Sequence, residues 1–178
     1  MSNGHIGHRR FLYTTNVNKD RNHTARSANR LKITNVETKT DGPTASILLG
    51  EDSPADVYLI RHALQESGVK HTLRVATHGG EMIAAMAKGN AIPDLVVLDL
   101  NLPRHDGLEI LKLIRDNRDF TEVPVVILTS SDSPMDRTAA SALGADCYIR
   151  KPSNLDEFMA IGETLQSLLT KRRGAAAP

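Results

Sequence analysis

Short apolar runs recur along the chain at Ile47-Leu48-Leu49, Leu73 to Ala76, Leu95-Val96-Val97-Leu98, Val123 to Leu128 and Cys147-Tyr148-Ile149. Each fits a short strand, and runs this continuous predict strands buried on both faces. Between them the apolar period lengthens to that of a helix. Ser53-Pro54-Ala55-Asp56 offers an N-cap with proline at the first helical position, Val57, Ile60 and Leu64 form one face, and Gly68 ends it. Residues 80–88 read as a short Met/Ala helix, and Leu108, Leu111 and Ile114 give the next one its stripe. Residues 134–143 form a fourth helix ending at Gly144. A fifth starts near Asn154 and buries Phe158, Ile161, Leu165 and Leu168 or Leu169. The order βα, five times over, predicts an α/β fold: a doubly wound, parallel, five-stranded sheet with helices on both faces.

Residues 1–45 lack such a period and are rich in Asn, Thr, His, Arg and Lys, with Asp41-Gly42-Pro43 as a boundary. They are expected to be a disordered extension, followed by a folded domain over 46–170 and a short basic and alanine-rich tail over 171–178. The net charge of +1 conceals an asymmetry. Residues 1–45 hold eight Lys/Arg against three Asp/Glu, whereas 46–170 hold eleven against eighteen. An acidic body of this kind is not a nucleic-acid-binding body, and the basic arm is read as a solvated tail. A single cysteine, Cys147, leaves no internal disulfide and no multi-cysteine zinc site, which points to a reducing compartment. No apolar run reaches the roughly 18 residues of a membrane helix. Phe11-Leu12-Tyr13 is too short for the core of a signal peptide, so the expected location is cytoplasmic.

In doubly wound sheets the chemistry gathers at the carboxyl ends of the strands. Glu51 and Asp52 follow the first run, Asp99 the third, Thr129-Ser130-Ser131 close the fourth, and Arg150-Lys151-Pro152 follow the fifth. Crowded carboxylates repel unless a cation lies among them, and oxygen-only ligands favour Mg²⁺. A lysine and a hydroxyl add partners for phosphoryl oxygens. A carboxylate can itself be the nucleophile and form an acyl phosphate, and phosphoryl transfer demands positioning and charge neutralisation above all. Each residue alone has an ordinary reading: a helix cap for Glu51-Asp52, a strand end for Asp99 and Thr129, a surface turn for Lys151-Pro152. Their succession at consecutive strand ends is what carries the signal.

The strings ILLGEDSPADVYLI, PDLVVLDLNLPRHDGLEIL, VPVVILTSS and ADCYIRKP resemble the receiver domain of two-component response regulators, over about 46–170. The wording EDSPAD, LDLNLPRHDG and CYIRKPSNLDEF is most similar to single-domain regulators that partner phytochrome-type histidine kinases. The resemblance implies a flavodoxin-like receiver fold and a phosphorylation switch without an output domain. It implies that Asp99 accepts the phosphoryl group from a kinase phosphohistidine. Mg²⁺ would be held by Asp52, by Asp99, by Glu51 through water and by the backbone carbonyl of Asn101. Thr129 matches the hydroxyl that turns toward the phosphoryl group, the backbone N–H of Ser130 its companion, and Lys151 the lysine that pairs with a phosphoryl oxygen. Tyr148 matches the aromatic switch, and Pro152 resembles the family's cis-proline. The face formed by the fourth helix, fifth strand and fifth helix is the expected surface for a homodimer or for kinase docking.

Some features depart from that pattern or lie outside it. Gly50 stands where the family carries an apolar residue, and a glycine packs less there. His78-Gly79-Gly80 lacks the spacing and lysine of a phosphate loop. His5, His8 and His23 read as solvated, His105 as opening the third helix, and Cys147 as a small buried hydrophobe. Two other readings remain open to the residues. An aspartyl-phosphate phosphohydrolase needs a second aspartate two residues after the first, where Asn101 stands. A nucleic-acid-binding regulator would work through the basic arm.

Overall fold

A computed structural model describes residues 44–87 and 89–175; the expected extension over 1–45 lies outside them except for Thr44 and Ala45, and Ala45 already opens the first strand, its N–H donating to the Lys70 carbonyl. Five strands, β1 (Ala45–Gly50), β2 (His71–Ala76), β3 (Leu95–Leu98), β4 (Val125–Thr129) and β5 (Cys147–Arg150), pair in parallel in the order β2-β1-β3-β4-β5. The helices are α1 (Pro54–Glu66), α2 (Gly79–Ala85), α3 (Gly107–Asp116), α4 (Pro134–Ala142) and α5 (Leu155–Ala175), with a 3-10 turn at Arg118–Phe120. This is the doubly wound α/β sheet the alternation predicts, and its strand order reverses between β1 and β3.

Alternation along the central strands divides the core. Leu48, Val96, Leu98, Val125 and Ile127 face Met82, Ile110, Leu111 and Ile114 of α2 and α3. Ile47, Leu49, Leu95, Val97, Val126 and Leu128 face Ile60 and Leu64 of α1 and Phe158, Ile161, Leu165 and Leu169 of α5. The expectation of burial on both faces holds for β1, β3 and β4. At the edges it relaxes: β2 alternates, with Thr72 and Arg74 exposed, and β5 is only half-buried.

Several boundaries differ from the sequence reading. β4 starts at Val125 because Pro124 has no N–H to give a ladder and Val123 closes a turn onto the Phe120 carbonyl. His105 does not open α3: it is exposed, and Asp106 is the N-cap, its carboxylate accepting from the Leu108 N–H at 2.7 Å. α5 runs through Lys171 and Arg172 into the expected tail, and Arg172 ties it back by donating to the carbonyls of Pro93 and Asp94. The peptide bond before Pro152 is trans, not cis as the resemblance suggested; trans is the intrinsically favoured form of an X-Pro bond. Among the described residues no helix is long and apolar enough to cross a membrane.

Candidate functional site

Three backbone hydrogen bonds set the strand-end residues at one rim. The Glu51 N–H donates to the Ala76 carbonyl, the Asp99 N–H to the Gly50 carbonyl, and the Lys151 N–H to the Thr129 carbonyl. Each residue is thus the first beyond its strand and is held by the neighbouring strand. Gly50, which the sequence reading took to pack poorly, is fully enclosed. A Cβ there would meet the side chains of Leu102, Leu98 and Met82 at 2.9–3.1 Å, so those residues occupy the space it leaves. Gly107 has a firmer reason. A Cβ on it would collide with the Leu100 backbone, so the loop after Asp99 can fold back onto α3 only over a glycine.

Lys151 is the centre of the pocket. Its ammonium donates to Glu51 Oε2 at 2.7 Å, to Asp56 Oδ2 at 2.8 Å and to Asp99 Oδ2 at 2.6 Å, which uses all three of its N–H groups. Glu51 is 1% exposed and Asp99 4%. Burial pushes the Glu51 carboxyl above its ordinary value, against the opposing pull of the Lys151 hydrogen bond and charge and the Ser53 N–H. For Lys151 burial acts to lower the value, and the hydrogen bonds it donates to Asp56, Asp99 and Glu51 together outweigh it, so the ammonium is held firmly protonated.

The other rim residues surround Asp99. Its Oδ1 accepts from the Asn101 N–H at 2.9 Å. The Asn101 amide reaches across the mouth and donates to Thr129 Oγ1 at 3.2 Å and Ser130 Oγ at 3.3 Å. Thr129 is fully buried, and its Oγ1 also accepts from the Ser131 N–H. Tyr148 lies half-buried one strand away, its hydroxyl donating to the Ser131 carbonyl at 3.3 Å. The Arg137 guanidinium sits 4.5 Å from the centre of the Tyr148 ring. His78 caps α2 through its ring nitrogen and belongs to no phosphate loop.

The pocket therefore brings together Glu51, Asp99 and Lys151, and sets Thr129, Ser130 and Asn101 around them. Asp52 stands exposed beside Glu51 in the chain. Asp56 is the member the sequence reading missed: it appeared only as part of a capping turn, and its N–H does bond the Ser53 hydroxyl. Its side chain, 95 residues from Lys151 in sequence, has a second role that only the folded chain reveals. The Asn101 amide and Arg137 were missed too, and nothing in their spacing signals them.

Carboxylates outnumber the single ammonium, and the donors are all oxygen, a chemistry that suits a hard divalent cation. Among the described residues no three such side chains are gathered ready to hold a metal; Glu51 and Asp99 are gathered on Lys151 instead. No carboxylate stands at position 101 to serve as a phosphohydrolase acid, and the amide there is occupied with hydroxyls.

The model of the response regulator receiver domain matches residues 47–162. Response regulator Rcp1 of Synechocystis sp. is 37% identical over 133 residues, covering 70% of this chain and 88% of Rcp1. Transcriptional regulatory protein TrcR of Mycobacterium tuberculosis is 41% identical over 122 residues, 68% of this chain but 45% of TrcR, so the chain spans about half the length of that relative. Among solved structures, the phosphorylated cyanobacterial phytochrome response regulator RcpA superposes with a TM-score of 0.66 at 33% identity, covering 72% of this chain and 95% of RcpA. The Mn(2+)-bound form of Rcp1 superposes with a TM-score of 0.64 at 35% identity, covering 69% and 92%.

Proposed function

The chain belongs to the response regulator receiver domain family, a component of two-component signalling, and on that premise we propose that Asp99 is its phosphoacceptor. The observation that carries the proposal is the aim of Lys151 at Asp99 Oδ2, 2.6 Å away, in a pocket with Thr129 and Asn101 at its mouth. A carboxylate oxygen of Asp99 attacks the phosphorus of the donor. An oxygen–phosphorus bond forms, and the donor's bond to phosphorus breaks with its electron pair leaving on the donor. Lys151 then neutralises charge on the phosphoryl oxygens. The Thr129 hydroxyl and the Ser130 N–H supply hydrogen bonds to them.

Asp52, Asp99 and the Asn101 carbonyl, with Glu51 through water, would hold Mg²⁺. When bound, it supplies neutralising charge beside the phosphoryl oxygens. The surplus of carboxylates and the Mn(2+)-bound form of the relative Rcp1 support a divalent cation here. The kinase partner is proposed to be a phytochrome-type histidine kinase, because RcpA is a phytochrome response regulator. Tyr148 is the proposed switch, and the α4–β5–α5 face the proposed surface for homodimerisation or docking, with a cytoplasmic location. This protein is a switch that acts on itself and turns over no external substrate.

Intact-mass spectrometry after incubation with acetyl phosphate and Mg²⁺ tests the assignment. The protein should gain the mass of one phosphoryl group, and Asp99→Asn should not. An undiminished adduct on Asp99→Asn would contradict it.

A further inference from the structure

The Lys151 tripod has two legs in one short stretch of chain. Glu51 follows β1 and Asp56 lies in the first turn of α1, on either side of the same N-cap, Ser53. The Ser53 N–H donates to Glu51 Oε1 at 3.1 Å, and the Ser53 hydroxyl accepts from the Asp56 N–H at 3.3 Å. One residue thus anchors the Glu51 carboxylate and the backbone of Asp56, the two residues beside it that grip the ammonium. The third leg is Asp99, at the end of a different strand, β3.

These two groups of contacts differ in what phosphorylation does to them. A lysine stem has four rotatable bonds and gains charge-neutralising power only if its ammonium is already in place. When Asp99 becomes an acyl phosphate, the N–H that faced Oδ2 must turn to a phosphoryl oxygen. The N–H groups on Glu51 and Asp56 have no reason to move. Glu51 is also assigned to the metal, which leaves Asp56 as the carboxylate whose contact is with Lys151, while its backbone N–H serves the helix cap.

Resting on the assignment of Asp99, we propose that Asp56 is a positioning residue for phosphoryl transfer: it holds the Lys151 ammonium aimed at Asp99 by one charge-assisted hydrogen bond. A receiver carrying an apolar residue at this position would have to hold its lysine with two partners instead of three.

Two variants separate this role from others. Asp56→Ala removes the hydrogen-bond acceptor, and Asp56→Asn keeps an amide oxygen to accept from Lys151 while removing the charge. Both keep the helix cap, which uses the backbone N–H of residue 56. Rates of phosphorylation by acetyl phosphate at saturating Mg²⁺ should fall about tenfold for Asp56→Ala, the scale of one charge-assisted hydrogen bond. Asp56→Asn should stay within about threefold of the parent, since its bond is weaker but present. Calorimetric Mg²⁺ titrations of both should stay within about threefold of the parent, because the proposed metal ligands are untouched. An unchanged rate in Asp56→Ala would overturn the proposal, as would equal slowing of the two variants. A loss of Mg²⁺ affinity matching the loss of rate would overturn it by making Asp56 a metal ligand. Asp99→Asn run in parallel keeps the two assignments apart: an adduct that survives in it removes the premise, whatever Asp56 does.

Discussion

Replacing Lys151 by methionine keeps an unbranched stem of similar length and deletes the ammonium, leaving three carboxylates without their shared cation. Their exposures decide the size of the effect. The Asp56 side chain is 25% exposed and can rehydrate, but those of Glu51 and Asp99 are 1% and 5% exposed and cannot. Removing one partner of a buried ion pair costs about 3–5 kcal/mol. Proton uptake by Glu51 gives an escape, so the lower end applies, about 3 kcal/mol at pH 7.5. The pH dependence follows from the direction of the Glu51 shift. Its folded-state value already lies above the ordinary 4.5 because of burial, and Lys151 works against that rise, so deleting Lys151 raises it further. A group raised in the folded state contributes stability below its unfolded value and loses it as pH rises through the folded value. The deficit of Lys151→Met should therefore be under about 1 kcal/mol near pH 4 and grow toward pH 8. Urea unfolding in EDTA, followed by far-ultraviolet circular dichroism, measures it. With a slope of roughly 2 kcal/mol per molar, the midpoint should drop by about 1.5 M at pH 7.5. A variant within about 0.5 kcal/mol of the parent at pH 7.5, or a deficit that does not change with pH, would refute the claim that this ammonium carries the charge balance of the pocket.

Further expectations concern the metal, the helix pair and the output face. Asp52→Ala should abolish the Mg²⁺ titration and with it phosphorylation, whereas Lys151→Ala should retain the titration; identical curves for the two would contradict the division of roles. Gly162→Ala should destabilise the fold by about 2 kcal/mol or more in urea, since its Cβ would collide with the Ala63 carbonyl and the Ser67 hydroxyl where α5 packs on α1. An unchanged midpoint would mean that the two helices can separate at no cost. Sedimentation velocity with beryllofluoride should show a dimer that the untreated protein lacks; a monomer in both conditions at high micromolar concentration would restrict the α4–β5–α5 face to docking.

The parallel sheet was legible because β1, β3 and β4 are buried on both faces and advertise this as unbroken apolar runs. Glu51, Asp99, Thr129 and Lys151 were legible for a related reason: each closes or follows a strand, and in this topology those ends converge. Boundaries were less visible where a side chain decides them. Asp106, not His105, caps the start of α3, because its carboxylate accepts from the Leu108 N–H. The C-terminal extent of α5 depends on Arg172 reaching two carbonyls nearly 80 residues earlier in the chain, which no local pattern encodes. Asp56 shows the same limit at the site. Its backbone role is local and was read correctly, whereas its side-chain role depends on where the turn after β5 delivers Lys151. The stacking of Arg137 on Tyr148 likewise joins α4 to β5 through tertiary packing alone.

The proposed function stands or falls on whether the acyl phosphate forms on Asp99. Borohydride trapping tests it most directly, because the reagent reduces an acyl phosphate to an alcohol, releases phosphate and leaves free carboxylates untouched. Protein phosphorylated with acetyl phosphate and Mg²⁺, reduced, digested and sequenced by tandem mass spectrometry should carry homoserine at position 99 and unmodified Asp52 and Asp56. Homoserine at position 52 or 56, or phosphate retained on Thr129 with Asp99 intact, would contradict it.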